Sequence, residues 1–187
     1  MVGTLTVQNL QGPTSGANAN KIIIPSGQTL DASGGTLVPS AGQVVQVVKS
    51  AKRTTSSNSS TTSLAEISSV YRVSLTPKFS DSFILLTFQA GFNVGNATRM
   101  AIDFMVGTQS DYSSMSRIDT TSVNESLRNE GTTLYFRRHS ISQYYDGYSS
   151  TDTLYFTMYF ARALGGGACR VNDNSGAAFL TAMEIAQ

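Results

Sequence analysis

The sequence predicts an all-β protein in which an N-terminal extended and intertwined β segment precedes a C-terminal antiparallel β-sandwich, similar to a jelly roll. Two observations in the second part support this class. Apolar and polar residues alternate in several short runs after residue 70, and Gly, Asn, Asp and Ser separate these runs. No long window keeps the helical period, so half-buried strands without intervening helices are expected.

Composition and charge exclude several classes of function. The 187 residues include 13 basic and 12 acidic side chains, giving a net charge of +1. This balance provides no basic field for nucleic acid. The longest apolar runs, such as Ile22–Ile24 and Phe83–Leu86, are far shorter than the roughly 20 residues that cross a bilayer, so we expect no membrane insertion. We expect no nucleic-acid partner and no cofactor.

Enzyme chemistry has few candidate residues in this chain. One cysteine, Cys169, and one histidine, His139, leave no set of zinc ligands. We interpret Cys169 as a small apolar filler in a short strand and His139 as a solvent-facing or interface residue. Glycoside hydrolysis needs a pair of carboxylates, and no spacing places two on one face of an element. We therefore predict no catalytic residue and no metal site, while a carbohydrate-active enzyme stays a third alternative. The acidic residues considered for that alternative are Asp103, Asp111, Asp119, Glu125, Glu130, Asp146 and Asp152.

Residues 1–48 form the first predicted segment. Their only charged side chains are Lys21 and Asp31, they contain no aromatic residue, and short aliphatic clusters alternate with Gly and Pro. So sparse a set of apolar residues cannot offset the entropy of ordering the segment by itself. The segment is therefore either disordered or completed by another surface, and we favour self-association because disordered segments are usually charged. The residues expected to mediate attachment and trimerisation are Leu5, Val7, Leu10, Ile22, Ile23, Ile24, Leu30, Leu37, Val38, Val44, Val45 and Val47.

A weak internal repeat lies within this segment. The residues from Ile24 to Leu30 are echoed by those from Val38 to Val45, and each copy carries a Pro-Ser pair followed closely by Gly. A short strand, a corner and another short strand are the unit of a β-solenoid or a fibre shaft.

Residues 49–69 are predicted to join the two parts as an exposed, mobile linker. Lys49, Lys52 and Arg53 lead into a stretch from Thr54 to Ser63 that consists of Ser, Thr and one Asn. Such a stretch buries little surface. We interpret its basic residues as a solvated hinge.

Residues 70–187 are predicted to form the sandwich head. The triple glycine from Gly165 to Gly167 predicts a hairpin turn, and Gln109–Gly131 predicts a long surface loop with one turn of helix. The alternating runs, each expected to turn one face inward, are Tyr71/Val73/Leu75, Ile84/Leu86/Phe88/Ala90/Phe92, Met100/Ile102/Phe104/Val106, Leu134/Phe136/Arg138, Leu154/Phe156/Met158/Phe160 and Phe179/Thr181/Met183/Ile185.

Aromatic residues give the strongest binding signal. Three tyrosines fall within the five residues Tyr144–Tyr148, which we predict to be a turn. Flat rings beside arginine donors suit recognition of a sugar or a protein, although some of these rings are also candidates for packing the sandwich or a subunit contact. The residues predicted to bind a receptor are Tyr144, Tyr145, Asp146, Tyr148, Arg137, Arg138 and Tyr112.

Four stretches resemble small virion structural proteins of tailed phages, including cyanophages and other marine phages. They are Gly12–Ala32, Leu37–Val48, Leu75–Ser82 and Leu180–Ala186. The resemblance covers the first 48 residues and the framing strands of the head, whereas Asn93–Ala178 is similar only in the alternation of its residues.

This resemblance implies a homotrimeric β shaft or collar that leads into a β-sandwich head on the virion. The partners it implies are the chain itself, other virion proteins of tail or capsid, and a host-surface glycan or protein. Two roles stay open at this point. One is a tail fibre or receptor-binding protein, and the other is a capsid decoration protein that stabilises the capsid lattice.

Overall fold

A computed structural model describes residues 12–19, 21–28, 39–52, 57–59, 61–119, 127–129, 135–172 and 176–187. The chain divides into two compact units, Met1–Val38 and Pro39–Gln187. The boundary differs from the expected one after residue 48, because Val44–Lys49 is a strand that pairs with the last strand of the second unit.

Turns organise the described part of the first unit. Ala19 N donates to Gly16 O and Lys21 N donates to Asn18 O, each at 3.1 Å. Gly12 lies against the backbone of Lys21 so closely that a β-carbon there would collide with it. No strand or helix occurs among residues 12–19 and 21–28. The β shaft therefore stays a prediction.

The corner predicted from the internal repeat occurs in both copies. Gln28 N donates to Pro25 O, and Gln43 N donates to Ser40 O, each at 3.1 Å. Gly27 and Gly42 occupy the third position of these turns with φ angles of 82° and 83°, which favour glycine. The second corner leads into a strand of the sandwich.

The second unit contains twelve described strands and one 3-10 turn, Ser69–Tyr71. All strand pairs among the described residues are antiparallel. The strands are β1 (Val44–Lys49), β2 (Ser57–Ser59), β3 (Ala65–Glu66), β4 (Val73–Leu75), β5 (Phe83–Val94), β6 (Thr98–Gly107), β7 (Ser116–Arg117), β8 (Leu127–Asn129), β9 (Tyr135–Tyr145), β10 (Leu154–Leu164), β11 (Cys169–Val171) and β12 (Phe179–Ile185).

These strands form two sheets. In the first sheet β5 pairs with β9 on one side, and with β12 and then β11 on the other, while β1 and β2 extend the sheet beyond β12 and β11. In the second sheet β6 pairs with β10, and the short strands β3, β4, β7 and β8 flank this pair. The predicted all-β class with two antiparallel sheets is confirmed.

The core lies between the two sheets. Phe88 and Phe92 of β5, Met100 of β6 and Phe156 and Met158 of β10 have no exposed surface. The inward faces predicted for the runs in β4, β5, β6 and β10 are confirmed. Cys169 is fully buried in β11, as predicted, and burial raises the pKa of its thiol to about 11.

The inward face predicted for the last strand is wrong. Leu180, Ala182 and Glu184 of β12 have no exposed surface, whereas Phe179, Thr181, Met183 and Ile185 are only half-buried on the opposite face. The reason is that Glu184 finds hydrogen-bond donors inside the sandwich, which lets a carboxylate occupy an inward position. The more apolar face of β12 consequently lies on the outside of the first sheet.

Three loop predictions also differ from the structure. The described part of the Ser/Thr-rich join contributes β2 and β3, because backbone pairing at a sheet edge needs no apolar side chains. The described part of Gln109–Gly131 contains β7 and β8 and no helix. Gly165–Gly167 is not a hairpin turn, because it connects β10 of the second sheet to β11 of the first. No helix among the described residues has the length and apolar character needed to span a bilayer.

Candidate functional site

The tyrosine turn, residues 144–148, lies where the edge strand β9 ends. Tyr144 and Tyr145 are the last residues of β9 and pair with Leu85 and Ile84 of β5. Because neighbouring residues of a strand face opposite ways, Tyr145 turns toward the core and Tyr144 turns outward. Tyr144 is 63% exposed, which makes it the most accessible large aromatic ring described in the sandwich.

Two of the three tyrosines in the turn hold its structure. The rings of Tyr145 and Tyr148 stack with centroids 6.0 Å apart, and Tyr145 meets Phe156 edge-on at 5.9 Å. Tyr145 OH donates to Gly147 O at 2.8 Å. A β-carbon at Gly147 would lie 2.8 Å from the Tyr145 ring, so a larger residue there would have to displace that ring. Burial raises the pKa of both tyrosines.

The buried carboxylate of Glu184 supports the turn through hydrogen bonds. Tyr148 OH and Ser82 Oγ share a hydrogen bond of 2.7 Å, and Ser82 Oγ donates to Glu184 Oε1 at 2.7 Å. Lys78 N and Phe79 N also donate to Glu184, at 2.8 and 3.0 Å, and Gln46 Nε2 donates at 2.6 Å. Burial alone would raise the pKa of Glu184, but these hydrogen bonds together lower it.

A depression of about 350 Å³ adjoins the exposed face of the turn. Its lining residues include Tyr144, the two carboxylate residues Asp119 and Asp146, and Gln143. Ile118, Tyr145 and Gly147 complete it. An aromatic ring beside several hydrogen-bonding groups is a chemistry that suits the apolar face and the hydroxyl groups of a sugar, or a peptide.

The other predicted binding residues lie elsewhere. Arg138 is exposed on β9, six residues before Tyr144, and therefore about 20 Å away along the strand. The backbone of Arg137 pairs with Phe92, but its side chain lies outside the described residues. Tyr112 lies on the outer face of the second sheet, where its ring meets Tyr155 edge-on at 5.4 Å. The structure thus brings Tyr144, Tyr145, Asp146 and Tyr148 together and separates them from Arg138 and Tyr112.

Tyr112 belongs to a polar cluster that the sequence did not indicate. Arg72 makes two hydrogen bonds to Glu66, of 2.8 and 2.9 Å, and Thr157 Oγ1 donates to Glu66 Oε1 at 2.8 Å. The Arg72 guanidinium lies over the Tyr112 ring, 4.5 Å from its centroid. Pairing of β3, β4 and β10 brings these residues together, so their proximity depends on strand order rather than on local sequence.

A second depression of about 450 Å³ lies at the opposite end of β5. Asn93, Gly95, Asn96, Gly166, Gly167, Ala168 and Arg170 line it. The triple glycine was its only sequence signal. Gly95 and Gly167 pack so closely that a β-carbon on either would lie 2.8 Å from the other, so these glycines allow the connection between the sheets to pass β5.

Of the carboxylates considered for hydrolysis, Asp119 and Asp146 line the same depression, whereas the other described ones lie apart. Asp103 pairs with Arg117, Asp111 accepts hydrogen bonds from Ser113, and Asp152 accepts one from Ser150. Glu125 and Glu130 lie outside the described residues. Within the described ranges, no group of three His, Cys, Asp or Glu residues is placed to hold a metal ion.

The residues predicted for attachment fall into three groups. Ile22, Ile23 and Ile24 are 52%, 57% and 43% exposed in the first unit. Val44 and Val47 are exposed on β1 of the sandwich, and Val45 beside them is half-buried. The remaining six, Leu5, Val7, Leu10, Leu30, Leu37 and Val38, lie outside the described residues.

Comparisons with known proteins give similarity at the level of structure only. No protein-family model matches the chain, and no curated protein matches it. One similar solved structure is the VP2 subviral particle of infectious bursal disease virus, with 11% identity, a TM-score of 0.37, and coverage of 94% of this chain and 46% of that chain. The Gt strain of the same virus gives 10% identity, a TM-score of 0.38, and coverage of 88% and 43%. The chain spans less than half the length of these structures.

Proposed function

We propose that the chain is a non-enzymatic virion structural protein of the tail-fibre type. Three copies associate through their N-terminal segments, which attach to the particle, and each sandwich head faces the host surface. The observation that carries this proposal is the exposed apolar run Ile22–Ile24 in a segment with only two charged residues, while the second unit has a hydrophobic core of its own. An exposed cluster of aliphatic side chains of this kind is typical of an interaction surface.

The phage-like stretches add support of a different kind. Gly12–Ala32 contains the isoleucine run, and Leu37–Val48 contains the second corner and β1. Both are similar to leaders of small phage virion proteins, in which this part of the chain connects the head to the particle. A virion location and virion protein partners follow for this chain as parts of the proposal.

The tyrosine turn is the proposed host contact. Tyr144 projects from a turn that Tyr145, Tyr148 and Glu184 hold rigid, so little entropy is lost when a ligand binds. Trimerisation would present three such turns and would strengthen shallow polar recognition through effective concentration.

Substitution of Tyr144 tests this contact. We expect Tyr144→Ala to weaken adsorption to host cells or to purified host surface polysaccharide by roughly tenfold or more, because an exposed ring contributes stacking. The matched control is Leu164→Ala, which shortens another exposed apolar side chain, 55% exposed, at the far end of β10. Unchanged adsorption by Tyr144→Ala would contradict the assignment, and loss of the trimer would identify Tyr144 as a subunit contact.

A capsid decoration protein is the alternative role. It shares the N-terminal attachment but contacts the capsid lattice and needs no receptor. Labelled antibody on intact virions separates the two roles, because tail-only labelling agrees with the tail-fibre proposal and capsid labelling contradicts it.

The enzymatic alternative requires turnover of host polysaccharide that depends on Asp146, which lines the depression, or on Glu125, which lies outside the described residues. If Asp146 acted in hydrolysis, the protein would degrade host polysaccharide, and Asp146→Asn would abolish that degradation. The proposal predicts no release of reducing sugar from either protein.

A further inference from the structure

The outer face of the first sheet carries an apolar strip made of Val44, Val47, Phe83, Leu85, Met183 and Ile185. Strand pairing arranges these residues in two rows across β1, β12 and β5. Val47 lies opposite Met183, which lies opposite Leu85. In the next row Val44 lies opposite Ile185, which lies opposite Phe83. The six side chains are therefore neighbours on one face.

This strip is accessible to solvent. Val44 and Val47 are 54% and 57% exposed, and the other four residues are partly exposed. Their strand neighbours Ile84, Leu86 and Ala182, which face the core, have no exposed surface. Among the described residues on the outer face of this sheet, the charged ones are Lys49, Arg138 and Arg170, and none lies within the strip. A contiguous uncharged apolar patch of this kind marks an interaction surface.

We propose that the apolar strip binds the isoleucine run Ile22–Ile24 of a second copy of the chain. The run and the strip have matching chemistry, since both are aliphatic and both lack charge. Each is exposed within its own unit, so each offers an apolar surface to another copy. One chain thus carries both halves of the contact.

The dimensions of the run and the strip agree. Three β-branched residues before a proline favour extended backbone, in which Ile22 to Ile24 span roughly 7 Å between their Cα atoms. The three strands of the strip cover roughly 10 Å. Tyr144 borders the strip on the β9 side, opposite Leu85, and lies outside the area that the run needs.

This contact would be heterologous, because the run of one copy meets the strip of the next. Heterologous contacts close into rings when the rotation between copies allows it, and three copies would form a cyclic trimer. The inference therefore rests on the proposed self-association and names the surfaces that produce it.

The first test measures oligomer mass of the full chain by analytical ultracentrifugation. We expect Val47→Asp to weaken self-association roughly tenfold or more, because the new carboxylate would be buried without a partner. The matched control is Ser140→Asp, an exposed position on the outer face of β9 in the same sheet, which should leave the association unchanged. Unaltered thermal unfolding would show that both variants fold. If the trimer persists unchanged in Val47→Asp, the strip assignment is overturned while the trimer proposal stands, and a monomeric native chain overturns both.

The second test traps the contact by cross-linking. Single variants Ile22→Cys and Val47→Cys are mixed in equal amounts and oxidised, while the buried Cys169 stays unreactive. Ile22 and Ile24 share one face of an extended run, so we expect mixed disulfide dimers that join residue 22 of one copy to residue 47 of another. Dimers formed only between two Val47→Cys copies would show strip-to-strip packing and would overturn the inference, as would the absence of any cross-linked species.

Discussion

At the scale of single residues, Glu184 links the sandwich to the tyrosine turn. Its carboxylate has no exposed surface and accepts hydrogen bonds from Gln46, Lys78, Phe79 and Ser82. These donors come from β1 and from the segment before β5. Glu184 therefore joins β12 to two other parts of the chain. Because Ser82 also bonds to Tyr148, the position of Tyr144 depends on a buried carboxylate that is not part of the exposed turn.

The first residue-scale prediction concerns Glu184→Gln. We expect a loss of about 2–4 kcal/mol in the free energy of unfolding, since the amide presents an NH₂ group to donors that need an acceptor. Chemical denaturation of the purified protein measures this loss. Asp152→Asn is the matched control, because Asp152 is exposed and its only described partner is Ser150. Equal stability of the two variants would contradict the role assigned to Glu184.

The same residue predicts a dependence on pH. The folded pKa of Glu184 is lowered, so its carboxylate adds stability above the ordinary value of 4.5, and this contribution is lost as the pH falls through the folded value. We therefore expect the stability difference between the native protein and Glu184→Gln to be constant near neutral pH and to shrink below 4.5. Denaturation curves across this range measure it, and a difference that grows in acid would contradict the lowered pKa.

At the scale of elements, short edge strands depend on polar contacts. β3 contains two residues, yet Glu66 within it binds Arg72 through two hydrogen bonds and accepts another from Thr157 of β10. Since both side chains are a third exposed or less, the pair is screened only in part. The pair therefore helps to hold β3 and the start of β4 against the second sheet.

A double-mutant cycle tests this element. We expect Arg72→Ala, Glu66→Ala and the double variant to give a coupling free energy of about 1–2 kcal/mol, because two parallel hydrogen bonds join a guanidinium to a carboxylate. Urea denaturation of the four proteins provides the measurement. A coupling free energy near zero would show that β3 is held by its backbone alone.

The alternation of apolar and polar residues was sufficient to predict the inward faces of β4, β5, β6 and β10. When apolar residues occupy every second position of a long run, only one orientation of the strand buries them. It failed for β9, where Arg138 of the predicted inward run is exposed and Ile141 and Tyr145 of the other face pack against the core. It also failed for β12, where both faces are mostly apolar and the choice between Met183 and Glu184 depends on donors from distant segments. Composition predicted a linker for residues 49–69, but pairing partners such as β11 and β10 are not encoded locally. The grouping of Tyr144, Tyr145 and Tyr148 in one turn could be predicted from ring density, whereas the separation of Tyr112 and Arg138 from that turn required the strand order.

At the scale of the whole molecule, we assign stability and assembly to different parts of the chain. The core of the sandwich draws its buried side chains from Ile67 to Ala182, so the unit Pro39–Gln187 has what it needs to fold. The described isoleucines of the first unit lie outside that core and are exposed. We therefore expect a chain that begins at Pro39 to unfold cooperatively, with a melting temperature close to that of the full chain, and to lose its self-association.

The mass of the native assembly is the most direct test of this division. Sedimentation equilibrium of the full chain should give about three times 19.9 kDa, and the chain that begins at Pro39 should give the mass of one copy. A full chain that sediments as a monomer, or a shortened chain that still sediments as a trimer, would contradict the claim that the N-terminal segment joins the copies.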